Sequence, residues 1–185
     1  MKVLDISFKR KVNCSANVCK WNHWDHDHIH YTHKGFYKEA RIFYEDDRVT
    51  LFYHTMNIPL IPFLRIGTID FSALKDKDTV LTYGFQFGIP SLSTTKYTSI
   101  SKNKCVVEQN YKFVFSGIKI LLYPLIKFLI PRWNERTWKE DLPLKLRRQK
   151  VKRMNFKDFK GLPKKLKNRK FKGNDDFKLP IERLK

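Results

Sequence analysis

Residues 21–33 read WNHWDHDHIHYTH and hold five of the chain's six histidines together with Asp25 and Asp27. Neither an imidazole nor a carboxylate is cheap to bury without a partner, so this density points to a site rather than to a folding requirement. Histidines interleaved with aspartates are metal-ligand chemistry, and the segment is the candidate metal site. Asp25 and His28 lie three apart and share a helix face, which lets Asp25 orient His28 as a supporting carboxylate. His28 and His33 are five apart, about 140° around an ideal helix, and converge only if the helix ends or bulges between them. The Tyr31-Thr32 pair ahead of Gly35 permits such an end. The two histidines read equally well as the polar rim of a pocket. His23, His26 and His30 read as hydrogen-bonding, supporting or solvent-facing groups, and Trp21, Trp24, Trp133 and Trp138 as core.

The elements that must position this segment follow from periodicity. Leu4, Ile6 and Phe8 alternate with Asp5, Ser7 and Lys9, the period of a half-buried strand. Ser15 or Asn17 then caps a helix that carries Val18, Trp21 and the histidine segment, with Gly35 as its stop. Runs rich in aromatic and β-branched residues follow at 37–44, 49–56, 64–71, 79–87, 94–101 and 105–115. Turn chemistry separates them at 45–47, at Pro59 and Pro62, and at 75–78, 88–90 and 102–104, which predicts an antiparallel meander. From Gly117 the spacing becomes helical through Ile118, Leu121, Leu122, Leu125, Ile126 and Leu129. The helix is expected to continue to about Met154, with bends at Pro124, Pro131 and Pro143. Strand, helix, six strands and long helix make an α+β chain in which one curved antiparallel sheet wraps a long C-terminal helix. Leu121, Leu122, Leu125 and Leu129 are expected to face that sheet and to leave an apolar cavity of roughly a few hundred Å³.

Composition sets the bounds. With 185 residues, 42% hydrophobic and 15% aromatic, the chain can bury a sizeable core and is not disordered as a whole. Cys14, Cys19 and Cys105 are too few for a disulfide framework and read as buried thiols in a reduced, cytoplasmic setting. The longest apolar run, 118–130, contains Lys119 and Lys127 and falls short of the roughly 20 residues that cross a bilayer. No signal peptide is read at the N-terminus, which opens directly on the alternating pattern. Residues 145–185 carry 17 Lys and Arg against 4 Asp and Glu, so 13 of the formal net charge of +20 resides there. The expected division is a domain over 1–154 and a basic arm over 155–185, with Phe156, Phe159, Leu162 and Leu166 interleaved. Such an arm suits an anionic membrane surface, or acts as a solvated tail; nucleic acid is disfavoured because no motif for it is present.

The element order resembles the helix-grip fold of the START and Bet v 1-like superfamily, and within it the catalytic domain of Rieske non-haem iron oxygenases. Asn22-x-x-Asp25-x-x-His28-x4-His33 is similar to the oxygenase pattern of an Asn or Glu, an Asp and two iron-binding histidines. Glu140-Asp141-x-x-Leu144 followed by Arg147-Arg148-Gln149 resembles the helical segment that supplies the third ligand. The resemblance implies Fe(II) held by His28, His33 and Asp141, with Asp25 as the catalytic aspartate that links a ligand histidine to an electron-donating cluster on a neighbouring subunit. Asp141 with Lys145 four residues on also reads as a helix-surface ion pair. A Rieske cluster needs Cys-x-His and Cys-x-x-His pairs, and this chain has neither, so no Rieske cluster is held in it.

Three functions are compatible with these residues. The first is a mononuclear non-haem iron oxygenase-type domain acting on an apolar substrate, with electrons from a separate electron-transfer protein. The second is a metal-free carrier of an apolar lipid, sterol-like or polyketide-like ligand. The third is a basic binding module that works through its arm.

Overall fold

The computed structural model describes residues 1–33, 35–46, 48–58 and 61–153. The basic arm expected over 155–185 lies outside them. The alternating N-terminal segment forms β1 (Lys2–Val12), followed by helices α1 (Ala16–Trp24) and α2 (Asp27–Thr32). Six strands follow: β2 (Tyr37–Glu45), β3 (Val49–Ile58), β4 (Ile61–Asp76), β5 (Thr79–Gln86), β6 (Ile89–Ser101) and β7 (Lys104–Phe115). A 3-10 turn over Gly117–Leu122 leads into the long helix α3 (Tyr123–Arg153).

The seven strands make one antiparallel sheet in the order β1-β7-β6-β5-β4-β3-β2. The meander runs from β2 to β7, and β1 closes onto β7 with Lys2 opposite Phe115 and Val12 opposite Cys105. All six predicted strand runs are present, and two extend further than their composition indicates. β4 continues through polar residues to Asp76, because its neighbours β3 and β5 supply ladder partners there. β6 begins at Ile89, so the turn expected over 88–90 is tighter than its Pro suggests. Phe87 and Gly88 take positive φ values of 56° and 72° and close a two-residue hairpin between Gln86 and Ile89. Pro90 then sits at the start of the strand, where a missing N–H is tolerated.

Two apolar clusters hold the layers together. One joins Leu4, Tyr37, Phe113 and Phe115 of the sheet to Ile126, Ile130 and Trp133 of α3. The other packs Val12, Cys14, Val18, Cys19 and Trp24 against Val80, Tyr97, Cys105 and Val107. Full burial of each large side chain contributes about 1.5–3 kcal/mol. The long helix runs unbroken through Pro131 and Pro143. Its inward face differs from the expected one. Leu121 and Leu122 are 75% and 40% exposed, and Leu125 and Leu129 are half-buried. The 3-10 turn shifts the helical phase before α3 begins, so Ile126, Ile130 and Trp133 take the inward positions instead. Continuing that face at helical spacing brings Asn134, Asp141, Lys145 and Arg148, all buried.

Candidate metal centre and ligand cavity

The single helix expected over the histidine segment is two. Ser15 caps α1 by accepting the Val18 N–H at 3.4 Å, and its own N–H donates to Gln149 Oε1 of α3 at 2.8 Å. The α1 helix stops at Asp25, whose φ and ψ of −82° and 80° turn the chain before α2 starts at Asp27. The second helix stops at Thr32, ahead of Gly35, and His33 stands just outside it with φ and ψ of −106° and 36°. That exit removes the 140° separation an ideal helix would impose. The rings of His28 and His33 lie 5.4 Å apart and inclined at 70°.

Asp141 enters from α3 between them. Its Oδ1 is 3.1 Å from His28 Nε2 and 3.1 Å from His33 Nε2, and one donor atom from each of the three residues falls within 4.8 Å of the others. The outer nitrogens are engaged. His28 Nδ1–H donates to the carbonyl oxygen of Asp25, and His33 Nδ1–H donates to Glu140 Oε2 at 2.7 Å. A carbonyl oxygen can only accept, so Nδ1 of His28 carries a proton, and its Nε2 is the atom turned toward Asp141. Asp141 Oδ2 accepts from the Lys145 ammonium at 2.8 Å, whereas Oδ1 is aligned with no hydrogen-bond donor although it is buried. Burial opposes ionisation of Asp141, but His28, His33 and Lys145 outweigh it and hold the carboxyl well below its ordinary range. Burial likewise disfavours His33 as imidazolium, and Asp141 and Glu140 reverse this, raising its pKa. An orphaned carboxylate oxygen facing two Nε2 atoms is a donor set that fits a divalent cation such as Fe(II), with three ligands on one side.

The expected supporting residues are rearranged. The Asp25 carbonyl, not its carboxylate, meets the His28 ring, while the carboxylate is taken by Arg148. Arg148 also donates to Asn22 Oδ1 at 2.6 Å and stacks over Trp21, 3.3 Å from the ring centre. Asp25 is therefore a clamp between α1 and α3, which differs from direct orientation of His28 by a carboxylate. The Asp141–Lys145 pair exists, but as a buried pair, with Lys145 only 4% exposed. His23 donates or accepts with Tyr97 Oη at 2.8 Å, and burial depresses its pKa to about 4. His26 stacks on Phe52 at 3.9 Å.

The three ligand-type residues stand at the wall of a cavity of about 160 Å³ between sheet and α3. Tyr37, Phe52 and Trp133 give it apolar surface, but the sheet side is polar, with His54, Asp70 and Gln86 among its residues. The space is smaller than expected, because Asn134, Asp141 and Lys145 of α3 take up part of the room, while apolar side chains still make up much of the wall. His54 and Asp70 are 1% and 2% exposed, and their nearest atoms, Nδ1 and Oδ2, are 3.6 Å apart. Burial pushes Asp70 up to about 7 and His54 down to about 4. Gln86 Nε2 donates to Asp70 Oδ2 at 3.1 Å. Both ring nitrogens of His54, Asp70 Oδ1 and Gln86 Oε1 have no hydrogen-bond partner among the described residues. A Cβ at Gly84 would fall 1.5 Å from Asp70 Oδ1, so only glycine lets Asp70 lie there. His54, Asp70 and Gln86 were not legible as site residues, because each sits alone in a strand with no spacing to mark it. Arg148 and Lys145 carried a signal, since they fall seven and four residues after Asp141 on one helix face.

No protein-family model and no curated protein matches the chain. Solved structures do. An aromatase/cyclase, ZhuI from Streptomyces sp. R1128, superposes with a TM-score of 0.68 at 8% identity, covering 80% of this chain and 96% of that one. The chain has the helix-grip fold. Human STARD10 shares it with a TM-score of 0.60 at 13% identity over 84% of this chain and 69% of that one. Norcoclaurine synthase from Thalictrum flavum, in complex with dopamine and hydroxybenzaldehyde, does so at 0.51 and 14% identity, covering 74% and 85%. These helix-grip structures are START and Bet v 1-like proteins, as the element order implied. The resemblance to Rieske oxygenases rests on the motif residues alone.

Among the described residues no helix is long and apolar enough to cross a membrane.

Proposed function

We propose that the protein binds a small organic molecule, about one ring in size and bearing polar substituents, in the cavity between sheet and α3. The observation that carries this is the cavity itself: about 160 Å³ with unpaired polar atoms of His54, Asp70 and Gln86 on one side. About 150 Å³ accommodates a benzene-sized molecule, so the space suits one ring better than a sterol or a two-chain lipid. The buried polar groups gain a partner if the ring carries a hydroxyl, amine or carbonyl. One helix-grip neighbour, norcoclaurine synthase, is a complex with dopamine and hydroxybenzaldehyde, single-ring molecules with polar substituents, which supports this reading. The test is thermal unfolding against a panel of substituted monocyclic aromatics, sterols and fatty acids, since a ligand of the native state alone raises the midpoint. Single-ring polar compounds should raise it and sterols should not; no shift with any ring compound sinks the reading.

A second, finer reading is favoured by the convergence of His28, His33 and Asp141. On this reading the cavity wall holds one Fe(II), and the domain is of the mononuclear non-haem iron oxygenase type acting on the bound ring. Bound Fe(II) would supply positions open to dioxygen and substrate. His28 and His33 would ligate through Nε2, with Asp25 and Glu140 fixing their Nδ1–H tautomers. Lys145 would orient the Asp141 carboxylate. Electrons would come from a separate protein, because the chain has no cysteine–histidine pairs for a cluster of its own. Metal analysis of anaerobically prepared protein tests it: about one iron per chain is expected in the wild type and none in Asp141→Ala. Equal metal in both would leave only the ligand-binding reading.

A further inference from the structure

Three thiols that this site does not use converge from separate parts of the chain. Cys14 stands between β1 and α1, Cys19 lies in α1, and Cys105 opens β7. The β1–β7 ladder sets Cys105 opposite Val12, two residues from Cys14, so the pairing register itself brings them together. None of the three is more than 1% exposed. The Cys14 and Cys19 sulfurs are 3.0 Å apart, those of Cys19 and Cys105 are 3.6 Å apart, and all three lie within 4.8 Å of one another. A buried cysteine that serves only as a small hydrophobe needs aliphatic neighbours and has no reason to aim its sulfur at two others.

The electrostatics single out Cys105 as the most acidic of the three. The Cys105 thiol is held below its ordinary range, chiefly by its hydrogen bonding with Cys14 and then with Cys19, with the Lys145 ammonium adding to the effect. The counterpart is Cys14, pushed up to about 12 chiefly by its hydrogen bond to Cys105. The Cys19 thiol is raised as well, first by Cys105 and then by Cys14.

We infer that Cys14, Cys19 and Cys105 form a three-thiolate site for a thiophilic closed-shell cation, Zn(II) or Cu(I). Metal–sulfur bonds of about 2.3 Å in a trigonal arrangement place sulfurs about 4 Å apart, so the 3.0 and 3.6 Å separations at Cys19 need only open modestly to receive an ion. Ligation requires the thiols to give up their protons, which makes affinity rise with pH. With Zn(II) the three thiolates leave one net negative charge in the core, facing the buried Lys145. Cys19 and Lys145 both line the cavity, which gives an ion a way in. Thiolates select soft ions and the His28–His33–Asp141 set a borderline one, so the two places take different metals.

The test uses the full-length chain, reduced and stripped with chelator, then titrated with Zn(II), with Cu(I), and with Cd(II) as a spectroscopic substitute. Thiolate ligation produces a sulfur-to-metal charge-transfer band in the ultraviolet that imidazole and carboxylate do not. The band is expected to saturate near one Cd(II) per chain, to survive Asp141→Ala and to vanish in Cys105→Ala. Independently of any variant, Zn(II) or Cu(I) should slow alkylation of the wild-type thiols in mild denaturant at least tenfold; the ion that does so identifies the native class. Absence of the band together with unchanged alkylation overturns the proposal. So does a reduced chain that takes up no ion and only forms a Cys14–Cys19 disulfide in air.

Discussion

In its first half α3 buries Ile126, Ile130 and Trp133 against Leu4, Phe113 and Phe115, while in its second half the same face buries Asn134, Asp141, Lys145 and Arg148. One helix, one sheet and one periodicity thus carry two different kinds of interior. The first half is what a fold requires, with apolar side chains removed from water. The second half is costly, because each charge is desolvated and is stable only while its partner stays: Lys145 with Asp141, Arg148 with Asn22 and Asp25. Where a chain spends stability in this way, function is the natural reason.

The two halves should differ most at Asp141. Asp141→Ala should abolish iron content and, by leaving Lys145 buried without its partner, destabilise the protein by about 3–5 kcal/mol. The double replacement Asp141→Leu with Lys145→Met should recover most of that stability in denaturant unfolding while iron remains absent. Recovery of both would show that the charges serve folding only. Ile130→Ala, at a fully buried position of the first half, should cost about 2–5 kcal/mol and leave metal content unchanged. A loss of metal there would mean that the halves are not separable.

A smaller effect is expected at the sheet wall, and its sign is set by pH. The folded-state pKa of Asp70 is raised to about 7 by burial, so the native state holds a proton that the unfolded chain has already released above its ordinary range. Its contribution is complete below about pH 4 and is lost as pH rises toward 7. His54, lowered to about 4 by burial, acts in the opposite direction over the same window and masks it. Asp70→Asn should therefore gain stability relative to wild type as pH rises from 4 to 7, by about 2–3 kcal/mol in all. A difference that stays flat across that range would remove Asp70 as a buried acid. The smallest change is expected at Leu121, which is 75% exposed: Leu121→Lys should alter unfolding free energy by less than about 0.5 kcal/mol. A cost near that of Ile130→Ala would restore the face that periodicity alone suggested.

Much of this architecture is readable in the residues. Alternation at Leu4, Ile6 and Phe8 marks β1, and the aromatic and β-branched runs mark the meander, because period and turn chemistry are local properties. The meeting of His28 with His33 was readable as a condition, an exit from the helix before residue 33, which Thr32 meets. Phase is where the reading failed. Ile118, Leu121 and Leu122 look like the inner face of a helix, yet a 3-10 turn over Gly117–Leu122 rotates α3 relative to them, and nothing in the local spacing reports that rotation. The polar wall was hidden for a different reason. Asp70 and Gln86 become neighbours through strand pairing and the close approach at Gly84, and pairing is not written in either strand alone.

The pairing of β1 with β7, Lys2 opposite Phe115, has a consequence for the order in which the molecule comes into being. The first strand emerges with no ladder partner until more than half of the chain has been made, and the hydrogen bond from Ser15 to Gln149 spans 134 residues. Contacts of such separation cost loop-closure entropy before they return anything, and chains dominated by them fold slowly. The meander from β2 to β7 is built from neighbours and can form first. His28 and His33 meet Asp141 only once α3 has docked, so this three-residue cluster belongs with the long-range contacts of the fold and not with the meander's local ones.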